Sequence, residues 1–76
     1  AQFENNPAGS GVIVTHIATN SNAAYSGLRR GDLILSVNRQ RINGISDFQT
    51  VLAANQNDAL LLHINRDRRS LFLVIR

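Results

Sequence analysis

The stretch Gly27-Leu28-Arg29-Arg30-Gly31-Asp32-Leu33-Ile34 limits what this chain can fold into more than any other. Two glycines enclose one apolar residue and two arginines, and an acid then opens an apolar run. Upstream, Ser21-Asn22-Ala23-Ala24-Tyr25-Ser26 reads as one or two helical turns with Ser21 as N-cap. Gly27 is predicted to take the left-handed conformation that ends a helix, since it has no Cβ to clash. Leu28 then turns inward while Arg29 and Arg30 stay in water. Gly31 supplies a second tight turn, and the Asp32 carboxylate is placed to accept from backbone N–H groups beside it. A short helix is thereby tied by a rigid connector to a buried strand.

The rest of the chain alternates strands with turn signals. Ala1 to Glu4 reads as a short strand, and Asn5-Asn6-Pro7-Ala8-Gly9-Ser10-Gly11 as a loop rich in turn formers. Val12 to Ile17 is crowded with β-branched residues and apolar on both faces, which predicts a strand buried on both sides. Leu33 to Val37 forms the next strand, with Leu33, Leu35 and Val37 expected on one face. Asn38-Arg39-Gln40 turns the chain into a short return strand at Arg41-Ile42. The strongest helix signal runs from Ser46 to Ala54, with Ser46 and Gln49 as a capping box, Asp47 in the first turn, and Phe48, Val51, Leu52 and Asn55 along one stripe. Ala59 to Asn65 and Ser70 to Ile75 are predicted to pair as a hairpin through the turn Arg66-Asp67-Arg68-Arg69. This order of elements describes one compact α+β domain.

Composition sets limits on function. With 76 residues, 43% of them hydrophobic, there is material for one core, made mainly of Leu, Ile, Val and Ala. No apolar run approaches the roughly 18 residues that span a bilayer. The chain has no Cys, so disulfides and thiolate chemistry are absent, and no Met, which favours a piece cut from a longer protein. All eight basic residues are Arg, giving +3 against five acids, and six of them sit in three separate turns at Arg29/Arg30, Arg39/Arg41 and Arg68/Arg69. A nucleic-acid surface needs such charge on one face beside stacking aromatics, and only Phe3, Tyr25, Phe48 and Phe72 are available.

Catalytic constellations are poorly supported. Ser10, Asp32 and either His16 or His63 supply the residue types of a triad, yet Gly9-Ser10-Gly11 is not a nucleophile elbow. His16 and His63 fall in predicted strands without ligand spacing, and partly buried strand histidines are expected rather than a metal site. No cofactor is expected, and no catalytic residue is assigned.

The run Ala23-Ala24, Gly27-Leu28, Gly31-Asp32, Ile34 and Val37-Asn38 resembles the signature of the PDZ family, in its bacterial HtrA/Deg protease branch. The likeness continues through Ile42, the Ser46–Ala54 helix and the closing hairpin, covering almost the whole chain, and is nearest to the second, C-terminal PDZ domain of such proteases. Asn22 replaces a common proline, and Arg39 and Arg68 stand where turn glycines are usual. The resemblance implies a PDZ-like fold: a small, partly open antiparallel β-barrel or sandwich of five to six strands, capped by two helices, in the permuted bacterial strand order.

It also implies a non-catalytic module that binds extended or unfolded polypeptide by strand addition between the first strand and the Ser46–Ala54 helix. The implied peptide-binding residues are Ala1, Gln2, Phe3, Glu4, Phe48, Val51 and Leu52, with Val51 expected at the groove edge and Leu52 in pure packing. The loop that cradles a peptide carboxylate in this family precedes the first strand, so it is expected to be truncated ahead of Ala1. The alternative reading is a structural domain that contacts other protomers and domains of the parent protease and builds oligomeric cages. A parent serine endopeptidase with chaperone activity, in periplasmic protein quality control, is the implied host.

Overall fold

A computed structural model describes residues 2–76. Strands β1 (Gln2–Asn5), β2 (Val12–His16), β3 (Leu33–Val37), β4 (Gln40–Arg41), β5 (Leu60–Arg66) and β6 (Arg69–Ile75) form one antiparallel sheet, with helices α1 (Asn22–Tyr25) and α2 (Ile45–Ala54) inserted between them. The sheet order is β1-β2-β3-β5-β6, with β4 paired only to β3. β1 and β6 are therefore the two terminal strands. Ala1, expected to begin the first strand, lies outside the described residues.

The connector after α1 folds as its glycines demand. The Ser21 hydroxyl accepts from the Ala24 N–H at 3.2 Å, the expected N-cap. Gly27 has φ 98°, and the N–H groups of Gly27 and Leu28 return to the carbonyls of Ala24 and Ala23, both at 3.1 Å. That pair of bonds is the Schellman ending, and it delivers Leu28 into the core. The following loop is stitched to β2: Val14 donates its N–H to the Asp32 carbonyl at 3.0 Å and accepts from the Gly31 N–H at 2.7 Å.

The core gathers Val12 and Val14 of β2, Ile34 and Val37 of β3, Leu62 and Ile64 of β5, Phe48 and Val51 of α2, with Leu28 and Ile42 from loops. Leu33, Leu35 and Val37 do not share a face as strict alternation predicts. The β3–β5 register slips between Ile34 and Ser36, and this bulge moves Ile34 and Val37 to the core while Leu33 and Leu35 are left half-buried. His16 is exposed, contrary to the expected partial burial, because β2 ends there; His63 is half-buried and stacks on Phe72 with ring centroids 4.7 Å apart.

Both short hairpin turns are tighter than the sequence indicates. Asn38-Arg39 and Asp67-Arg68 have positive φ at both positions, 49° and 68°, then 50° and 67°. These are two-residue turns with the twist that antiparallel hairpins favour. The turn expected over Arg66–Arg69 thus shrinks to Asp67-Arg68, and Arg66 and Arg69 pair as strand residues. Similarly, β4 begins at Gln40, directly after Arg39.

Candidate functional site

The β1 edge and the α2 face are adjacent, and two contacts hold them so. Phe3 on β1 meets Phe48 on α2 edge to face, with ring centroids 4.6 Å apart. At the end of β1, the Asn5 side-chain oxygen accepts from the Ile45 N–H at 2.7 Å. Asn5 therefore fills one of the unpaired donors at the start of α2 from forty residues away in the chain.

This bond replaces the expected capping box. The N-cap is Gly44, with extended backbone and no side chain to offer, and Ser46 lies inside the first turn. The oxygen that Ser46 was expected to provide comes from Asn5 instead. Asp47 completes the end by accepting from the Asn43 N–H at 3.0 Å, beside the positive pole of the helix. A Cβ on Gly44 would sit 2.8 Å from the Asn5 oxygen, so the absence of a side chain at 44 is what admits the cap. At the far end, Asn55 donates its side-chain N–H to the Val51 carbonyl at 2.8 Å.

β1 bonds to β2 on one side, with Phe3 opposite Val14 and Glu4 opposite Ile13. No strand of the described residues covers its other side. Gln2 and Glu4 are exposed, and Phe3 is half-buried against the core. On α2, Phe48 and Val51 are buried and Leu52 is half-buried. The expected order of the last two is reversed: Val51 packs inward with Phe48 one helical turn before it, and Leu52 is the more open. An edge with free backbone groups, next to a helix wall of aliphatic and aromatic side chains, can accept an extended chain and sort its side chains.

A second cluster, built on Asp32, serves the scaffold. Its carboxylate is 1% exposed and accepts from the Arg29 N–H at 2.9 Å, from Arg66 Nε at 2.8 Å and from Arg66 Nη2 at 2.7 Å. Arg66 also reaches the Gly27 carbonyl at 2.8 Å. The hydrogen bond to Asp32 raises the Arg66 guanidinium above its ordinary pKa, against the opposing effect of burial. With its lone pairs engaged by Arg29 and Arg66, Asp32 is no orienting acid for a triad. An open concavity of about 200 Å³ beside this pair is lined by Arg29, Arg30 and Asp67 as well. It does not border β1 or α2.

Two side chains to which the sequence reading gave no such role, Asn5 and Arg66, organise these regions, and so does Asn38, read there only as a signature and turn residue. Asn38 accepts from the Leu61 N–H through its side chain at 2.8 Å while its own N–H donates to the Leu61 carbonyl at 2.8 Å, locking the β3–β4 turn to β5. For Asn38 the sequence did carry a signal, since it stands in the signature run.

Comparison with known proteins bears on the family and the fold. The periplasmic pH-dependent serine endoprotease DegQ of Escherichia coli is 37% identical over 68 residues, covering 90% of this chain and 15% of that protein. The periplasmic serine endoprotease DegP of Salmonella typhimurium is 32% identical over 76 residues, covering 100% and 16%. The chain thus spans about one-sixth of the length of these curated relatives. Among solved structures, the HtrA3 PDZ domain bound to a phage-derived ligand superposes with a TM-score of 0.82 at 26% identity, covering 96% of this chain and 75% of that one. A profile described as PDZ domain matches residues 13–66, from β2 to the end of β5. With signature, topology and profile in agreement, the chain belongs to the PDZ domain family, a family of non-catalytic interaction modules.

Proposed function

We infer that this domain binds extended or unfolded polypeptide by adding it as a further strand to the free side of β1. Alternate side chains of the visitor then enter the space flanked by Phe3, Phe48, Val51 and Leu52, while Gln2 and Glu4 flank its outer face. One observation carries the reading: Asn5 and Phe3 fix the β1 edge against α2, so strand and helix wall are pre-set rather than assembled on binding. The ligand-bound HtrA3 PDZ domain supports it, as a neighbour of the same fold with a phage-derived ligand. The host that fits best is an HtrA-like serine protease of the periplasm, in which this domain presents chains to a protease unit elsewhere.

Titration of a synthetic apolar peptide with a free C-terminus, followed by amide chemical shifts, tests the assignment. Shifts are expected at Gln2–Asn5 and along Asp47–Ala54. If saturable shifts fall only on other elements, the groove assignment is wrong.

A further inference from the structure

Tyr25, Phe72 and Val74 are the large apolar side chains most open to solvent among the described residues, at 74%, 66% and 45% exposure. Tyr25 and Val74 line one concavity, and Phe72 stands two residues from Val74 on the same face of β6. β6 is the terminal strand opposite β1, and its Leu71, Leu73 and Ile75 pack on the core while Phe72 and Val74 face away. The two-residue turn makes Arg66 and Arg69 a hydrogen-bonded pair, and bonding alternates along the hairpin from there. The N–H and C=O groups of Ser70, Phe72 and Val74 consequently point away from β5, toward the open side. Beside that side, Val74 and Arg76 share a concavity of about 340 Å³ with Asn22, Tyr25 and Ser26 around α1. A strand edge flanked by a helix occurs twice in this fold, as β1 with α2 and as β6 with α1.

Charge selects the occupant. Neither β6 nor α1 contains an acidic residue, and exposed arginines stand at both ends of the strand, Arg69 and Arg76. The one ion pair among the described residues, Asp32–Arg66, engages neither. Antiparallel pairing of β6 with a second copy, centred on Phe72, would set Arg68 of each copy opposite Arg76 of the other, an unfavourable like-charge match. An extended chain with acidic ends meets both arginines favourably, and its alternate apolar residues meet Phe72, Val74 and Tyr25. We propose that the β6 edge beside α1 is a second docking site, distinct from the β1 groove, for an extended polypeptide whose apolar residues alternate between flanking Asp or Glu.

The probe is a synthetic octapeptide with valine at alternate central positions, glutamates at both ends and blocked termini, so that no free carboxylate directs it elsewhere. It is titrated into the isotope-labelled 76-residue chain at low salt. Saturable shifts are expected at Ser70, Phe72, Val74 and Tyr25, with Gln2–Asn5 unmoved. Lysines in place of the glutamates should weaken binding about fivefold. Val74→Asp, on an exposed position that leaves the core intact, should abolish the shifts. Shifts confined to β1 and α2, no saturable shift, or equal affinity for the two probes would each overturn the proposal. So would concentration-dependent broadening of β6 amides without peptide, which would make a second copy the occupant.

Discussion

Arg66 holds Asp32 through two nitrogens, Nε at 2.8 Å and Nη2 at 2.7 Å, across 34 residues of chain. The bond joins the end of β5 to the loop that enters β3, and through the Gly27 carbonyl it also fastens the end of α1. Its two partners are unequal. Asp32 is 1% exposed, whereas the Arg66 side chain keeps 22% of its surface in water. Removing the arginine leaves a buried carboxylate with a single backbone donor; removing the acid leaves an arginine that can turn outward. Arg66→Ala is therefore expected to cost about 3 kcal/mol, toward the low end for a broken buried pair because one side is open. Asp32→Asn, which retains an oxygen for the Arg29 N–H, should cost about half as much. Urea unfolding of both variants checks the order, and a larger loss for Asp32→Asn would contradict it.

The same pair has a defined pH signature. Asp32 raises the Arg66 pKa in the folded state, so folding is favoured wherever the unfolded guanidinium is charged, and the benefit fades only as pH climbs past its ordinary value. No loss from this pair is expected on going from neutral to moderately alkaline solution. Arg66→Lys lowers the ordinary value to about 10.4. Its remaining pairing energy should then be lost as pH rises above that value, while the parent chain stays level. Urea midpoints measured across that range distinguish the two.

Asn5 and Gly44 form a coupled unit at the start of α2. Asn5→Ala removes the oxygen 2.7 Å from the Ile45 N–H and should cost about 1 kcal/mol, as loss of a helix cap does. Gly44→Ala involves no backbone strain, since φ there is 178°, but its Cβ would lie 2.8 Å from the same oxygen and expel it. Gly44→Ala alone should match Asn5→Ala in cost, yet be nearly neutral when added to it. A double-mutant cycle by chemical denaturation measures this directly, and additive costs would refute the coupling.

These cases show what a linear reading can reach. Ser21, Gly27 and Leu28 were legible because their partners lie within a few positions, where capping chemistry is local. The order of strands and the fold class followed from period and turn signals for the same reason. Asn5 as the cap of α2 and Arg66 as the partner of Asp32 were not legible, since each acts across more than thirty residues and only the closed sheet brings them to their targets. The phase of β3 was hidden by a bulge, which shifts every later side chain by one face without changing composition. The β1–α2 arrangement owes its anticipation to the family resemblance, while the more buried setting of Val51 relative to Leu52 needed the helix's actual rotation.

Arg39 and Arg68 hold left-handed backbone at φ 68° and 67°, each as the second residue of a two-residue hairpin turn. An L-residue with a Cβ pays about 1–2 kcal/mol there, and glycine returns roughly half of that through its greater freedom when unfolded. Arg39→Gly and Arg68→Gly create Asn-Gly and Asp-Gly turns, the pairs such hairpins favour. Each is expected to stabilise the domain by about 0.5–1 kcal/mol, additively, because the turns lie at separate hairpins. Thermal and urea unfolding should both register the gain, and a loss in either variant would mean that the arginine side chain makes a stabilising contact outweighing the strain.

Asn65 presents the opposite problem, a polar atom where an apolar one suits better. Its side-chain oxygen is buried without a hydrogen-bond partner among the described residues, in the middle of the sheet between Leu33 on β3 and Ser70 on β6. Such an atom loses its water and gains nothing in return, a cost of about 1–3 kcal/mol. Asparagine is also a poor strand former, and valine a good one of smaller volume. Asn65→Val should therefore stabilise the chain by about 1 kcal/mol, read as a higher urea midpoint at unchanged slope. Asn65→Asp serves as the control: a charge at the same buried atom must lower the midpoint, and equal behaviour of the two variants would show that the oxygen is solvated in solution.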